Sequence, residues 1–338
     1  MMRSLYSAVS GLRNHQTRMD VVANNIANVN TVGYKSSRLI FQDVFSQTTR
    51  SATEPTGNYG GSNPMQIGLG VKSASIDILH NPAAMQRSDN PLDLTITGDG
   101  FFVIRLGAKD QAFPGSNEET DVLRYTRAGN FYLDRDGNLV TADGSFVQGM
   151  QFDKAFDKAT DIVPVNTDTG LPEYDFSETG SSNDTDTKWG AGFKQDAINE
   201  FLENPFDATN SDHLLSKLNL AGFNGIAIDQ NGIITGLNDK QEKCYIGVIA
   251  MAKFTNQQGL QKEGQSLFSE TANSGLADYK VARYSGYGSL DAGGLEMSNV
   301  DLSAEFTDMI VTQRGFQANS RVITTSDTLL EELINLKR

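Results

Sequence analysis

The sequence of 338 residues contains a single cysteine, Cys244, so no disulfide can form within the chain. It has no run of about 18 apolar residues, so we expect no membrane-spanning helix. Only 28 Lys and Arg stand against 42 Asp and Glu. The resulting acidity disfavours nucleic acid and anionic membranes as partners, because both require a basic surface. Arg3, Arg13 and Arg18 interrupt the region where a secretory signal would need an apolar segment, so we expect no such signal.

Residue patterns typical of catalysis are also scarce. His15, His80 and His213 lie in separate segments without metal-ligand spacing. Cys244 begins an alternating apolar stretch, which favours a small buried hydrophobe over a nucleophile. No pair of carboxylates stands out. We therefore predict no enzymatic activity, no cofactor and no metal site.

Two short loops superficially resemble ligand sites. In LDRDGNL (133–139), Gly137 directly follows Asp136 and no Glu comes at the distance that a calcium loop requires, so the pattern favours a hairpin turn. In GDGFF (98–102), neither a helix nor a Lys-Ser/Thr pair follows, so a tight turn is favoured over a phosphate loop.

The first part of the chain carries a narrow apolar stripe. The spacing alternates between three and four residues over a helix of roughly 25 residues, about 37 Å long. Its members are Leu5, Ala8, Leu12, His15, Met19, Val22 and Ile26. His15 falls on this stripe, so we interpret it as a packing or interface residue.

The last part of the chain carries a second stripe of the same kind. Its apolar members are Leu302, Phe306, Met309, Phe316, Ile323 and Leu330. Ser298 and Asp301 of "SNVD" predict a helix start similar to a capping box. Residues 1–38 carry a net charge of +4 and residues 301–338 one of −2, which suits antiparallel or staggered pairing.

The two stripes allow two interpretations. They could form an ordinary core, against each other or against the rest of the chain. Narrow stripes are nevertheless more typical of helix–helix seams than of globular-core faces. We therefore interpret both as a self-assembly seam, and we expect a coiled coil that orders only on assembly because isolated helices of this length are marginal in water.

The middle of the chain has the pattern of a β-rich protein. Alternating apolar residues and the turn pairs Asp136-Gly137 and Asn231-Gly232 predict strands and hairpins, and Cys244–Phe254 predicts a buried strand. Residues 151–219 differ, with 14 Asp and Glu against 5 Lys and Arg.

The predicted fold class is multidomain α+β, with long terminal helices and discontinuous, mainly-β middle domains. We assign 1–30 and 299–338 to a helical inner-tube domain, 31–75 to an extended connecting segment that includes a polar stretch at 47–66, 76–150 and 220–298 to a β-rich middle domain, and 151–219 to an inserted acidic outer domain.

Several stretches resemble bacterial flagellar axial proteins of the rod and hook. "ANNIANVNTVGYK" (23–35) resembles their N-terminal signature, and residues 295–338 resemble their C-terminal signature. The middle segments "NPLDLTITGDGFFVI" (90–104), "YTRAGNFYLDRDGNLVTADG" (125–144) and "GVIAMAKFTNQQGLQKEGQSLFSETANSG" (247–275) are also similar, whereas 151–219 is not. The signature residues are Asn24, Asn25, Ala27, Asn28, Thr31, Gly33, Tyr34 and Lys35.

Within this family the sequence favours one of two kinds of subunit. The segment Asn63–Asp77 and the insertion favour a subunit of the hook. The polar stretch 47–66 keeps a subunit of the distal rod as the alternative, because similar rod proteins carry a comparable long segment there.

The resemblance implies a function and a set of partners. Such subunits leave the cell unfolded through the flagellar type III export apparatus and polymerise into a helical tube outside it, under a hook cap protein. The hook acts as a flexible universal joint that transmits torque, between the distal rod protein and the hook–filament junction protein. Neither nucleic acid nor membrane insertion is implied. A monomeric acidic binding module and a secreted glycan hydrolase remain the alternatives from other classes.

Overall fold

The computed structural model describes residues 2–55, 57, 60–106, 123–151, 215–237, 243–284 and 286–336. Two compact units make up the chain, a helical unit and a β unit. The helical unit comprises Met1–Asn30, Lys35–Asn81 and Ser298–Arg338, and the β unit comprises Thr31–Tyr34 and Pro82–Met297. This multidomain α+β architecture confirms the predicted fold class. Trp189, His213 and most of the predicted insertion lie outside the described residues.

Two long helices dominate the helical unit. Helix α1 spans Met2–Ala27 and helix α2 spans Leu302–Asn335. The part of the chain that the structure describes contains no helix long and apolar enough to cross a membrane.

Helix α2 begins one turn later than a cap at Ser298 would place it. The side chain of Asp301 accepts hydrogen bonds from the amides of Ser303 and Ala304, so Asp301 is the N-cap. The capping prediction at Ser298 is therefore wrong. The Asn299 side chain accepts from the Ser36 amide, and this contact holds the chain that precedes the helix.

An antiparallel ribbon completes the helical unit. Its strands are β1 (Ser37–Asp43), β2 (Ser46–Arg50), β3 (Met65–Gly68) and β4 (Val71–Ile78). Strand β1 pairs with β4, and β2 pairs with β3. The segment predicted as an extended connection at 31–75 thus contains paired strands, and its last strand continues to Ile78.

The β unit contains the remaining strands, which are short and pair in antiparallel fashion. They are β5 (Met85–Arg87), β6 (Leu94–Thr97), β7 (Phe101–Arg105), β8 (Leu123–Thr126), β9 (Phe131–Leu133), β10 (Leu139–Thr141), β11 (Phe146–Gln151), β12 (Ser216–Lys217), β13 (Asn224–Ile228), β14 (Ile233–Leu237), β15 (Lys243–Ile249), β16 (Met251–Lys253), β17 (Gln261–Gly264), β18 (Leu267–Ser269), β19 (Asp278–Lys280), β20 (Ser289–Ala292) and β21 (Gly294–Glu296).

One large sheet forms the body of this unit. Its main path runs β13-β14-β15-β11-β7-β8-β18-β17. Two further ribbons pair β20 with β6 and β21 with β5. The hydrophobic core includes Phe102, Phe131 and Leu290, none of which is exposed to solvent. The long segment of the β unit begins at Pro82, later than the predicted boundary at 76.

The turn residues act as the sequence predicts. Gly137 and Gly232 have φ of +77° and +79°, a region that favours glycine. They lie in the hairpins β9–β10 and β13–β14.

The strand predicted from Cys244 to Phe254 instead breaks at Ala250, whose amide donates to the Gln148 carbonyl. As a result, β15 pairs with β11 and β14, whereas β16 pairs with β7 and β19. The side chain of Cys244 lies outside the described part of the structure, so its packing role stays a prediction.

The predicted insertion ends earlier than 219. Strand β12 pairs with β11, with Ser216 opposite Gly149. Leu218 is fully buried in the hydrophobic core. Residues 216–219 therefore belong to the β unit, because they supply a paired strand and a core side chain.

Candidate functional site

The candidate site is the antiparallel helix pair of the helical unit together with the asparagine-rich turn after α1. The contacts between the two helices show their relative direction. As the residue number rises along α1, the number of its partner in α2 falls. These contacts pair Gly11 with Asn319, His15 with Gly315, and Arg18 with Asp308. The two helices therefore run antiparallel within one chain.

Small and polar residues form the packed face of α2. Thr312 and Ser326 are its buried residues. Asp308, Gly315 and Asn319 are half-buried on the same side. This face differs from an ordinary hydrophobic core, so its stability depends strongly on shape and on polar contacts.

The predicted seam residues of α1 lie on its packed face within the single chain, and their role in self-assembly stays a prediction. Ala8 and Val22 are buried. His15 lies on the same face, where its ring meets the Phe41 ring edge to face at 5.7 Å between centroids. The remaining seam residues are half-buried, and they are Leu5, Leu12, Met19 and Ile26.

The predicted seam of α2 only partly faces α1. Leu302, Phe306 and Phe316 are exposed. An α-helix drifts by about 20° per heptad relative to a strict seven-residue repeat. The seam therefore lies mostly on the outer side in the first half of α2, with Met309 as the exception, and turns toward the packed face in the second half. Its half-buried members are Met309, Ile323 and Leu330.

Two polar bridges link the helices. Arg18 donates to Asp308 across 2.9 Å, and both side chains remain partly exposed. The Asn25 amide group donates to Glu305 across 2.9 Å. Burial raises the pKa of Glu305, and the hydrogen bond from Asn25 opposes that shift. Neither Glu305 nor Asp308 is among the predicted site residues, since a search for apolar periodicity passes over charged partners.

Asn25 lies in the last turn of α1 and connects the helix to its neighbours. Its side chain is almost completely buried. Its nitrogen also donates to the carbonyl of Ser37 across 2.8 Å, and its oxygen accepts from the Ser37 amide across 3.0 Å. Asn25 thus joins α1 to the start of β1 and to α2, a role that needs both a donor and an acceptor.

Other asparagines end the helix. The Asn28 side chain donates to the carbonyl and side-chain oxygens of Asn24. The Asn28 backbone amide also reaches the carbonyls of Asn24 and Asn25. Ala27, the last residue of α1, is exposed. These contacts satisfy carbonyls that a helix end leaves without partners.

Lys35 and Asn299 hold neighbouring chain segments together. Lys35 is buried, and its ammonium donates to the Asn81 carbonyl across 2.8 Å. Asn299 accepts from the Ser36 amide and donates to the Leu79 carbonyl, each across 2.7 Å. Lys35 is one of the predicted signature residues, whereas Asn299 has no predicted role of its own.

The remaining signature residues belong to the β unit. Gly33 has φ of +66°, and a Cβ there would lie 2.7 Å from the Ala128 amide nitrogen, so only glycine fits at this position. The carbonyl of Thr31 accepts from the Tyr34 amide. Tyr34 is buried, with the Lys262 ammonium 3.9 Å from its ring centroid.

The described residues contain no group of three or more side chains suited to bind a metal ion. The 98–102 stretch begins with a tight turn, in which Gly98 and Gly100 have φ of +120° and +136°. The structure thus gives this glycine pattern a local conformational role.

Comparisons with known proteins agree with these observations. Residues 5–35 match the family model described as flagella basal body rod protein, residues 95–181 match the flagellar hook protein FlgE/F/G D1 domain, and residues 291–336 match the flagellar basal body rod FlgEFG protein C-terminal model.

Full-length relatives define the family. The flagellar basal-body rod protein FlgG of Bacillus subtilis is 40% identical over 339 residues, with both chains covered completely. The flagellar hook proteins FlgE of Borreliella burgdorferi and Treponema pallidum are 34% and 33% identical over 458 and 479 residues, again with complete coverage of each chain. The chain belongs to the family of flagellar hook and basal-body rod proteins. This is a family of structural proteins and not of enzymes.

Proposed function

We propose that this protein is a structural subunit of the flagellar hook, which polymerises into a curved, flexible tube. The observation that carries polymerisation is the apolar side of α2 that α1 leaves uncovered. Phe306, Ile310 and Val311 are about half exposed there. Exposed apolar side chains in such numbers on one helix are typical of an interaction surface.

Sequence features favour the hook over the rod, and full-length identity to hook proteins in two organisms is consistent with that choice. The two features that favour a hook subunit are the segment Asn63–Asp77 and the acidic span after Gln151. A polar, acidic outer part suits weak, hydrated contacts that slide as a tube bends.

A subunit of the distal rod is the second candidate. The rod protein of Bacillus subtilis has the higher sequence identity. Its alignment spans 339 positions, close to the 338 residues of this chain. The hook relatives align over many more positions than this chain has residues. The stretch 47–66, which includes most of β2 and the start of β3, also supports a rod subunit, because it resembles a segment of rod proteins.

The proposed partners follow from this role. The subunit would pass through the flagellar type III export apparatus, add beneath a hook cap protein, and end outside the cell. It would contact the distal rod protein at one end of the hook and the hook–filament junction protein at the other.

Electron microscopy of basal bodies from a strain lacking the gene tests this assignment. We expect complete rods without hooks, and hooks restored by the plasmid-borne gene. Loss of the distal rod as well would favour the second candidate. Normal hooks on normal rods would refute both. Tubes formed by concentrated purified protein would independently support polymerisation.

A further inference from the structure

Two matching contacts join α1 to α2, and in each of them a glycine of one helix faces a larger side chain of the other. A Cβ built on Gly11 would lie 2.7 Å from the Asn319 side-chain nitrogen, and one built on Gly315 would lie 2.7 Å from the His15 ring. Each helix thus contributes one glycine and, four residues further along, one larger polar side chain. Residues four apart lie on the same helix face, so each large side chain fills the space above the opposite glycine.

The His15 side of this arrangement has little freedom to move. Its ring lies between Gly315 and Phe41, and Arg18 follows one turn later with its guanidinium 5.7 Å from the same Phe41 ring. The asparagine side is looser, because the atom nearest to Gly11 is the end of a flexible side chain. A methyl group at Gly315 should therefore disturb the pair more than one at Gly11.

We infer that Gly11, His15, Gly315 and Asn319 form a register lock, which fixes how far α2 lies along α1 and so where the outward side of α2 lies along the helix pair. A shift by one helical turn would move α2 by about 5 Å. In one direction the shift would place Ile323 opposite Gly11 and Met19 opposite Gly315. In the other direction it would place the two glycines opposite each other and leave the space at each one unfilled. Either shift would displace the exposed apolar side of α2 along the helix pair. The link to assembly rests on the proposed function, whereas the lock itself is a property of the single chain.

The lock gives glycine a positive role in helices where it is otherwise unfavourable. Alanine is the better helix former, so without the lock Gly315→Ala should make α2 more stable. With the lock it should weaken pairing, since the new methyl group meets the His15 ring. Removing that ring in the double variant His15→Ala/Gly315→Ala should restore the pairing register.

Distance measurements in the monomer test the register directly. Cysteines introduced at the exposed positions Gln16 and Ser320, in a Cys244→Ser background, carry spin labels for double electron–electron resonance. We expect one narrow distance distribution for the parent, a broadened one or one shifted by about 5 Å for Gly315→Ala, and recovery in the double variant. Gly68→Ala, where a Cβ meets no atom within 4 Å, should leave the parent distribution unchanged.

Three results would overturn the lock. They are an unchanged distribution in Gly315→Ala, a double variant that fails to recover, and a broad distribution in the parent. Polymer yield, measured by sedimentation on the same samples, separates this result from the proposed function. A parent that keeps its register yet forms no polymer would refute self-assembly and leave the lock intact.

Discussion

The guanidinium of Arg127 lies 3.4 Å from the carboxylate of Glu296, and neither side chain is exposed to more than a trace of solvent. Arg127 also donates to the Gly98 carbonyl, and Glu296 accepts from the Ala83 amide. Burial lowers the pKa of Arg127, and the nearby carboxylate opposes that shift. This pair therefore connects separate segments of the β unit through charges that water does not reach.

Removing one member of the pair should destabilise the β unit strongly. Glu296→Ala leaves a buried guanidinium without its counter-charge, which costs about 3–5 kcal/mol of unfolding free energy. Urea denaturation followed by circular dichroism measures this loss. The exposed pair Arg87–Asp89 provides the control, because Arg87→Ala should cost less than about 1 kcal/mol. Equal effects of the two variants would contradict the importance of the buried pair.

The turn after α1 should depend on the amide of Asn25. Asn25→Asp keeps the shape but replaces two donated hydrogen bonds by a carboxylate that faces Glu305 and the Ser37 carbonyl. We expect a loss of at least about 2 kcal/mol at neutral pH, measured by urea denaturation. Acidification should recover part of the loss as the carboxylates become protonated. Asn24→Asp, at an exposed position, should show little change; a comparable loss there would argue against a special role for Asn25.

Pairing of the helices should weaken when His15 becomes protonated. Burial first, and then Arg18, lowers the pKa of His15 below its ordinary value of 6.5. The unfolded chain therefore binds the proton more readily, and stability falls as pH drops through 6.5 toward the lower folded pKa. The facing groups are Arg18 from α1, Asp308 from α2 through its bond to Arg18, and the uncharged ring of Phe41 from β1.

Thermal unfolding of the helices between about pH 8 and 5.5 measures this effect. His15→Gln should flatten the profile in that range. Glu305 contributes with the opposite sign, because its pKa is raised by burial and its protonation at lower pH favours the folded state. Glu305→Gln should therefore alter only the acidic end. A wild-type profile that His15→Gln leaves unchanged would contradict the prediction.

A charge on the outer side of α2 should block polymerisation and spare the monomer. Phe306 is 49% exposed, so Phe306→Asp should change the monomer's unfolding free energy by less than about 0.5 kcal/mol. A carboxylate buried at each subunit contact costs several kcal/mol, so polymer yield in sedimentation should fall more than about tenfold. Gln317 lies about three helical turns further along the same side of α2, so Gln317→Asp adds the same charge there without removing an apolar side chain and separates the two effects. Met309 is half-buried and Phe316 is less exposed than Phe306, so Asp at either position is a less selective test.

The acidic span should be dispensable for folding of the β unit. Gly149 and Ser216 are partners across β11 and β12, so the chain leaves and re-enters on neighbouring strands. Replacing residues 153–213 by a Gly/Ser linker of about four residues should close the loop at small entropic cost. The shortened protein should melt cooperatively and still polymerise, with altered curvature. Insoluble material without a cooperative melt would place the span in the core.

Local backbone chemistry explains which features the sequence predicted correctly. Gly137 and Gly232 mark their hairpins because few other residues adopt positive φ. The face that α2 presents to α1 could not be predicted in the same way. The apolar residues of α2 indicate a seam. The face that packs against α1 depends instead on the space at Gly315 and on the polar contacts of Asp308 and Glu305. The prediction that the coiled coil orders only on assembly conflicts with the register lock, which requires paired helices in the monomer. A narrow distance distribution in the parent monomer would refute the assembly dependence, and a broad one would refute the lock.

Strand pairing in the β unit also constrains the order in which it can fold. Phe102 of β7 pairs with Met251, and Ile96 of β6 pairs with Leu290. Contacts so distant along the chain give a high contact order, and such topologies fold slowly because loop closure precedes the stabilising contacts. The unit cannot close until almost the entire chain is available. For a subunit exported as an unfolded polypeptide, as the proposed function requires, slow closure would lengthen the time for which the chain stays unfolded.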